Sequence, residues 1–185
     1  MIKPNTLTVS RIVIAIILCV LLVNLRGFWS YLLCFFLFIL AAMTDLWDGQ
    51  LARKLKMESN FGKITDPIAD KILILSIFFM FAYKNLYSVW WIVPVTVREI
   101  LVTAVRFQKL RENRVLAAEW SGKIKTVIQM ITILVAFIVL IIKIETPTSH
   151  YFQPVHTTMI FFLLLTNFIT IYSGITFFKG LRLQS

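Results

Sequence analysis

The chain has 185 residues, of which 59% are apolar, and it carries 19 lysines and arginines against 9 aspartates and glutamates. A soluble domain is nearer half apolar, and the excess here lies in long runs, so composition disfavours a soluble protein and indicates a membrane protein. On a membrane protein the net charge of +10 bears on topology and on anionic partners, and nucleic acid is not an expected partner.

Apolar runs predict six membrane-spanning helices. Each run exceeds the ~20 residues that cross the hydrocarbon core. The second and third helices are longer than the bilayer is thick, so their ends should project on one side. We therefore expect an all-α integral membrane protein in which residues 1–185 form a single domain. The predicted helix limits are 6–25, 29–54, 60–83, 88–109, 121–143 and 154–178.

The distribution of basic residues predicts the orientation of these helices. Of the 19 lysines and arginines, only Arg26, Lys84 and Lys143 fall on the side opposite the N-terminus. The positive-inside rule then places both termini in the cytoplasm. We expect a multi-pass protein of the cell (inner or plasma) membrane, surrounded by membrane lipids, whose active site faces the cytoplasm.

Two pairs of aspartates lie where the second and third helices leave the membrane. Asp45 and Asp48 are three residues apart, and Asp66 and Asp70 are four apart, so each pair lies on one helix face. Carboxylates at a membrane edge are costly unless they hold cations or face water. Four hard oxygen donors suit one or two Mg²⁺ or Mn²⁺ ions. The sequence therefore predicts a metal site for a diphosphate at the cytoplasmic ends of these helices.

Small residues accompany the carboxylates and would let a ligand approach the backbone closely. Written out, the segment reads D-x-x-D-G-x-x-A-R and, eight residues later, G-x-x-x-D-x-x-x-D. This pattern resembles the signature of the CDP-alcohol phosphatidyltransferases. The resemblance implies a six-helix membrane enzyme, usually a homodimer. Such an enzyme transfers a phosphatidyl group from CDP-diacylglycerol to an alcohol and releases CMP.

The resemblance also implies roles for individual residues. Asp45, Asp48, Asp66 and Asp70 would bind two metal ions, and Asp70 would also be the general base for the incoming hydroxyl. Small residues would line the cytidine pocket, and Arg53 would face phosphate. For Asn5, capping of the first helix is the alternative to a nucleotide contact. The residues expected at CDP-diacylglycerol are Asn5, Thr8, Asp48, Gly49, Ala52, Arg53, Gly62 and Asp66.

Basic residues of the third, fourth and fifth helices indicate a site for a phosphate on the acceptor. Arg98 lies within an otherwise apolar helix, where Glu99 is expected to pair with a cation. Lys123 and Lys125 lie at a helix N-terminus, where backbone N–H groups also favour an anion. The alternative is a basic surface facing anionic lipid headgroups. The candidate acceptor residues are Lys71, Arg98, Arg106, Lys123 and Lys125.

The motifs R-E-I and G-K-x-K-T-x-x-Q resemble the branch of the family whose acceptor is sn-glycerol 3-phosphate and whose product is phosphatidylglycerophosphate. The resemblance ends near residue 130, beyond which the last helices are expected to add only hydrophobicity. Other acceptors remain open: serine, inositol phosphate or phosphatidylglycerol. Two further classes are alternatives, an intramembrane prenyltransferase and a divalent-cation transporter. The first usually has more helices, and the second should carry its acidic ligands near the bilayer midplane.

Overall fold

A computed structural model describes the backbone of residues 4–54, 60–112, 120–145 and 152–182. It describes the side chains of residues 10–43, 68–109, 112, 120–144 and 153–182. Within these ranges all regular secondary structure is helical, as the sequence predicts. The helices are α1 (Pro4–Asn24), α2 (Phe28–Lys54), α3 (Asn60–Tyr83), α4 (Val93–Arg111), α5 (Trp120–Glu145) and α6 (Phe152–Arg182).

The predicted helix limits are confirmed to within a few residues, with one clear difference at α4. The sequence predicts that this helix begins at residue 88, whereas a 3-10 helix, Val89–Trp91, precedes it and α4 begins at Val93. Pro94 explains the boundary, because proline has no N–H to donate and fits the first turn of a helix. Gly27 separates α1 from α2 with a φ of 140°, a conformation that favours glycine.

The core lies where α1, α2, α3, α5 and α6 meet. Phe137 on α5 lies at its centre, with its ring centroid 4.8 Å from that of Phe81 on α3 and 6.0 Å from that of Phe38 on α2. All three side chains are buried. Helix α1 packs on α2 and α3, α5 packs along α6, and α4 lies mainly against α6. The positions of α3, α4, α5 and α6 relative to one another therefore determine which polar side chains meet.

Two of the described helices have the length and composition of membrane helices. The described segments Trp120–Ile144 of α5 and Gln153–Arg182 of α6 are long and apolar enough to cross a bilayer, and Ser10–Asn24 of α1 and Phe28–Met43 of α2 are shorter apolar segments. Many large apolar side chains on these helices face outward, among them Ile16, Leu40 and Phe168. An apolar outer surface of this kind fits a membrane protein.

Candidate functional site

The four aspartates predicted to bind metal lie on α2 and α3, but only Asp70 has a described side chain. Asp45 and Asp48 belong to the second half of α2, and Asp66 to the first turns of α3. Their side chains lie outside the described residues, so the metal site stays a prediction. Among the described residues there is no group of three or more His, Cys, Asp or Glu side chains placed to hold a metal ion.

The Asp70 carboxylate forms an ion pair with α1. Arg11 Nη1 donates a hydrogen bond of 2.7 Å to Asp70 Oδ1. The Arg11 side chain is 9% exposed and the Asp70 side chain 42% exposed. The guanidinium is thus fixed within the packed helices, while the carboxylate remains accessible to a ligand. The sequence does not indicate a role for Arg11, although this residue follows the N-terminal segment that carries Asn5 and Thr8.

The other residues expected at CDP-diacylglycerol are not described at the side-chain level. Their backbones lie at the start of α1, near the end of α2 and at the start of α3. Their roles stay predictions. These residues are Asn5, Thr8, Gly49, Ala52, Arg53 and Gly62.

A buried carboxylate gathers three of the five predicted acceptor residues. Glu99 on α4 is 3% exposed, and its Oε1 accepts a hydrogen bond from Lys125 Nζ on α5. Glu99 Oε1 also lies 3.5 Å from Arg98 Nη1, and Glu99 Oε2 lies 3.7 Å from Lys71 Nζ on α3. We call Glu99, Lys71, Arg98 and Lys125 the Glu99 cluster. The predicted pairing of Glu99 with a cation is confirmed.

Two hydroxyl groups fix the cations of the Glu99 cluster. Lys71 Nζ donates to Thr103 Oγ1, which in turn donates a hydrogen bond of 2.5 Å to the Glu99 carbonyl one turn earlier on α4. Arg98 Nη2 donates a hydrogen bond of 2.7 Å to Ser173 Oγ on α6. The expectation that the last helices add only hydrophobicity is therefore wrong for α6, because Ser173 binds a cluster cation.

The remaining two predicted acceptor residues, Arg106 and Lys123, do not belong to the Glu99 cluster. Arg106 is two turns beyond Arg98 on α4, and its guanidinium carbon lies 5.7 Å from the centroid of the Phe177 ring on α6. Its Nε is buried with no hydrogen-bond partner among the described residues. Lys123 is exposed, whereas Lys125 is buried, because two residues advance a helix by about 200°. The structure thus brings Lys125, but not Lys123, to Glu99.

The charges of the Glu99 cluster do not balance. Among the described side chains of the cluster, three cations lie around one carboxylate, so these four side chains together carry two more positive charges than negative ones within a largely buried site. One turn after Lys125, the Gln129 side chain is 2% exposed, and its Nε2 has no hydrogen-bond partner among the described residues. Buried cations and donors need anionic or polar partners. An anion with several oxygen acceptors, such as a phosphate monoester, supplies both.

The supporting residues Arg11, Thr103 and Ser173 were missed in the sequence. Thr103 is four residues after Glu99, so the helical period places both on one face of α4. That spacing could have identified it. Nothing in the local sequence indicates that Ser173 meets Arg98, 75 residues earlier, or that Arg11 meets Asp70, 59 residues later.

Comparisons with known proteins agree on one family. A family model described as CDP-alcohol phosphatidyltransferase matches residues 1–179. A protein of Pectobacterium atrosepticum is 35% identical over 136 residues, which cover 70% of this chain and 73% of the relative. A protein of Bacillus subtilis is 35% identical over 143 residues, and a protein of Sodalis glossinidius is 36% identical over 136 residues. In both cases the match covers 70% of this chain and 73% of the relative. All three relatives are named CDP-diacylglycerol–glycerol-3-phosphate 3-phosphatidyltransferase.

Proposed function

The chain belongs to the CDP-alcohol phosphatidyltransferase family, and we propose that it transfers the phosphatidyl group of CDP-diacylglycerol to sn-glycerol 3-phosphate. The products are phosphatidylglycerophosphate and CMP, and the reaction belongs to phospholipid biosynthesis. The observation that carries the choice of acceptor is the Glu99 cluster, in which three cations from α3, α4 and α5 surround a single carboxylate. The names of the three relatives support the same acceptor.

The Glu99 cluster has the charge and geometry to bind the acceptor phosphate. Glu99 holds the three cations close together, and among the described side chains of the cluster its single negative charge stands against three positive charges. A phosphate dianion would balance the other two, and charge-assisted hydrogen bonds from lysine and arginine are the strongest that a phosphate receives. Serine has no phosphate dianion, so we expect it to bind more weakly to the Glu99 cluster. Arg106 extends the same face of α4 and would contribute a further positive charge.

The diphosphate of CDP-diacylglycerol is proposed to bind at the carboxylates of α2 and α3. Four carboxylates are hard oxygen donors that fit Mg²⁺ or Mn²⁺, and the partly exposed Asp70 side chain is accessible to such an ion. We propose that Asp45, Asp48, Asp66 and Asp70 hold two ions. When bound, these ions supply electrostatic stabilisation of the charge on the diphosphate and on the departing CMP.

In the proposed reaction, the attacking hydroxyl and its base would lie close together at α3. Asp70 immediately precedes Lys71 on α3, so the proposed base and one cation of the Glu99 cluster are neighbours on the same helix. As the acceptor oxygen forms its bond to the lipid-bearing phosphorus and the bond to CMP breaks, Asp70 takes the hydroxyl proton. Holding the acceptor by its phosphate makes this displacement effectively unimolecular.

We further propose six membrane spans, cytoplasmic termini, an active site on the cytoplasmic side and a location in the bacterial inner membrane. The bias in lysine and arginine supports this topology. Helix α2, with 27 residues, is about 40 Å long and therefore exceeds the ~30 Å hydrocarbon core, so its last two turns, which begin near Asp48, can project into the cytoplasm. The proposed homodimer rests on the family resemblance.

The proposed function is tested by acceptor competition. Purified protein receives CDP-diacylglycerol with Mg²⁺, and CMP release is measured with sn-glycerol 3-phosphate, serine, inositol phosphate or phosphatidylglycerol. We expect the fastest release with sn-glycerol 3-phosphate and none above background with glycerol, which has the hydroxyls but lacks the phosphate. Faster release with another acceptor would overturn the assignment within the family, and no release with any of them would overturn the transferase itself.

A further inference from the structure

We propose that Ser173 and Gly174 of α6 are positioning residues for the acceptor phosphate. Ser173 fixes the plane of the Arg98 guanidinium, and Gly174 leaves the space through which the aliphatic stem of Arg98 passes. The proposal rests on the proposed function and adds the last helix to an acceptor site otherwise built from α3, α4 and α5. Neither residue need touch the acceptor. Both act through Arg98, which reaches α6 from the neighbouring α4.

Ser173 fixes the orientation of the Arg98 guanidinium. Its hydroxyl, on a side chain that is 0% exposed, accepts a hydrogen bond of 2.7 Å from Arg98 Nη2, and its carbonyl lies 3.5 Å from the same nitrogen. The other terminal nitrogen, Nη1, lies 3.5 Å from Glu99 Oε1. A guanidinium is a planar fork, so fixing both ends of the fork defines its plane. A defined plane is what recognition of phosphate by paired N–H groups requires.

Among the described hydroxyls of α6, that of Ser173 is bonded to a cation, whereas those of Thr166 and Thr176 meet hydroxyls of α5. Thr157 and Thr158 each donate to the carbonyl four residues earlier on their own helix, and Thr176 to the carbonyl three residues earlier. That is the usual arrangement of a hydroxyl in an apolar helix. The Ser173 hydroxyl instead binds a cation on a different helix, in the cluster to which the acceptor is assigned.

Gly174 provides the path for the Arg98 side chain. A Cβ atom added at Gly174 would lie 3.3 Å from Arg98 Cγ, so the aliphatic stem would have to shift by a few tenths of an ångström to accept a larger residue. The stem has space to move, because Arg98 and Gly174 both border a cavity of about 700 Å³ between α4 and α6. A shift of the stem toward this cavity would move Arg98 Nη1 away from Glu99 Oε1, which already lies 3.5 Å from it. The glycine therefore keeps the guanidinium at the cluster.

The test separates acceptor binding from binding of the lipid nucleotide. Ser173→Ala is compared with Thr166→Ala, a matched control that loses a buried hydroxyl on the same helix, hydrogen-bonded at 2.7 Å to Thr132 instead of to a cation. KM is measured for sn-glycerol 3-phosphate and for CDP-diacylglycerol. Because a hydrogen bond to a charged group is lost, we expect Ser173→Ala to raise the acceptor KM about tenfold. The KM for CDP-diacylglycerol should stay within about twofold of wild type, and Thr166→Ala should leave both unchanged.

A double-mutant cycle tests whether Ser173 acts through Arg98. In an Arg98→Lys background, Ser173→Ala should raise the acceptor KM no further. If Ser173→Ala does not fold, the same two KM values are measured for Gly174→Ala, in which we also expect the acceptor KM alone to rise. This variant should fold, since alanine is favourable within a helix. An equal rise in both KM values, a change in kcat alone, or a full effect in the Arg98→Lys background would overturn the proposal. Wild-type protein that releases no CMP with sn-glycerol 3-phosphate would overturn the proposed function, and this inference with it.

Discussion

Arg11 on α1 and Asp70 on α3 are joined by an ion pair of 2.7 Å that links the first helix to the carboxylate proposed as the base. The arginine is the buried partner and the aspartate the accessible one. Arg11 therefore has little freedom to move, whereas Asp70 can exchange contacts when a ligand arrives. Electrostatic neighbours of this kind position a reactive carboxylate before the substrate binds.

Asp70→Asn should give a folded, membrane-inserted protein that has lost turnover. The asparagine carbonyl can still accept the hydrogen bond from Arg11, so the apparent melting temperature in detergent should stay near that of wild type. The variant loses one of the four proposed metal ligands and the proposed acceptor of the hydroxyl proton, and we expect kcat to fall by about 10²–10⁴-fold. CMP release by the purified variant is the measurement, and near-normal release would remove Asp70 as the base.

Arg11→Gln is the companion variant. It retains the Asp70 carboxylate and removes only the charge beside it, so it should lose much less activity than Asp70→Asn. If the two variants were equally inactive while both remained folded, Arg11 would have to contact the substrate itself, and its role in positioning Asp70 would need revision.

The helices were predictable from the sequence because long apolar runs have few alternatives in a bilayer. Only the start of α4 was misplaced, where the 3-10 helix and Pro94 delay the helix to Val93. Periodicity also indicates which residues share a face of one helix, as with Glu99 and Thr103. The Asp45, Asp48 and Asp66 side chains lie outside the described residues, and their predicted roles are unchanged.

What the sequence could not supply is which helix faces meet. The contacts of Arg11 with Asp70 and of Arg98 with Ser173 join distant segments, and their formation depends on how α1 packs on α3 and α4 on α6. Helix packing also explains why Lys123 and Lys125, two residues apart on α5, differ in burial. Both looked suitable for phosphate at the start of α5, but only the packing of α5 decides that Lys125 turns inward.

Glu99→Gln should destabilise the protein and weaken acceptor binding together. The glutamine keeps the shape of the side chain but leaves three cations close to one another with no carboxylate between them. Breaking a buried ion pair by removing one partner costs about 3–5 kcal/mol. We expect a lower apparent melting temperature in detergent and a higher KM for sn-glycerol 3-phosphate. Added inorganic phosphate should raise the melting temperature of this variant, because the anion replaces the missing charge.

Glu112→Gln is the matched control for Glu99→Gln. Glu112 also pairs with a lysine, Lys109, at 2.8 Å, but its side chain is 42% exposed. Exposed ion pairs contribute about 1 kcal/mol or less, so this variant should melt close to wild type. Equal melting temperatures for both glutamine variants would show that the Glu99 cluster does not stabilise the packed helices.

Removal of divalent cations should abolish activity. In the proposed site the four carboxylates would repel one another unless cations lay among them, and the diphosphate would add more negative charge. We expect no CMP release in excess chelator and recovery when Mg²⁺ or Mn²⁺ is restored. The ions should also raise the melting temperature of wild type more than that of Asp70→Asn, which has lost one ligand. Full activity in chelator would refute the metal requirement.

Lys125 and Lys123 offer the sharpest comparison within the acceptor site, since they are two residues apart on α5 and differ in burial. Lys125→Met removes a cation that contacts Glu99, and the loss of a charged hydrogen bond to phosphate should raise the KM for sn-glycerol 3-phosphate about 10- to 100-fold. Lys123→Met removes an exposed charge and should change that KM by less than about threefold. The KM for CDP-diacylglycerol should stay near wild type in both. If Lys123→Met had the larger effect, the acceptor phosphate would bind at the exposed start of α5 instead of at the Glu99 cluster, because only there can Lys123 reach it.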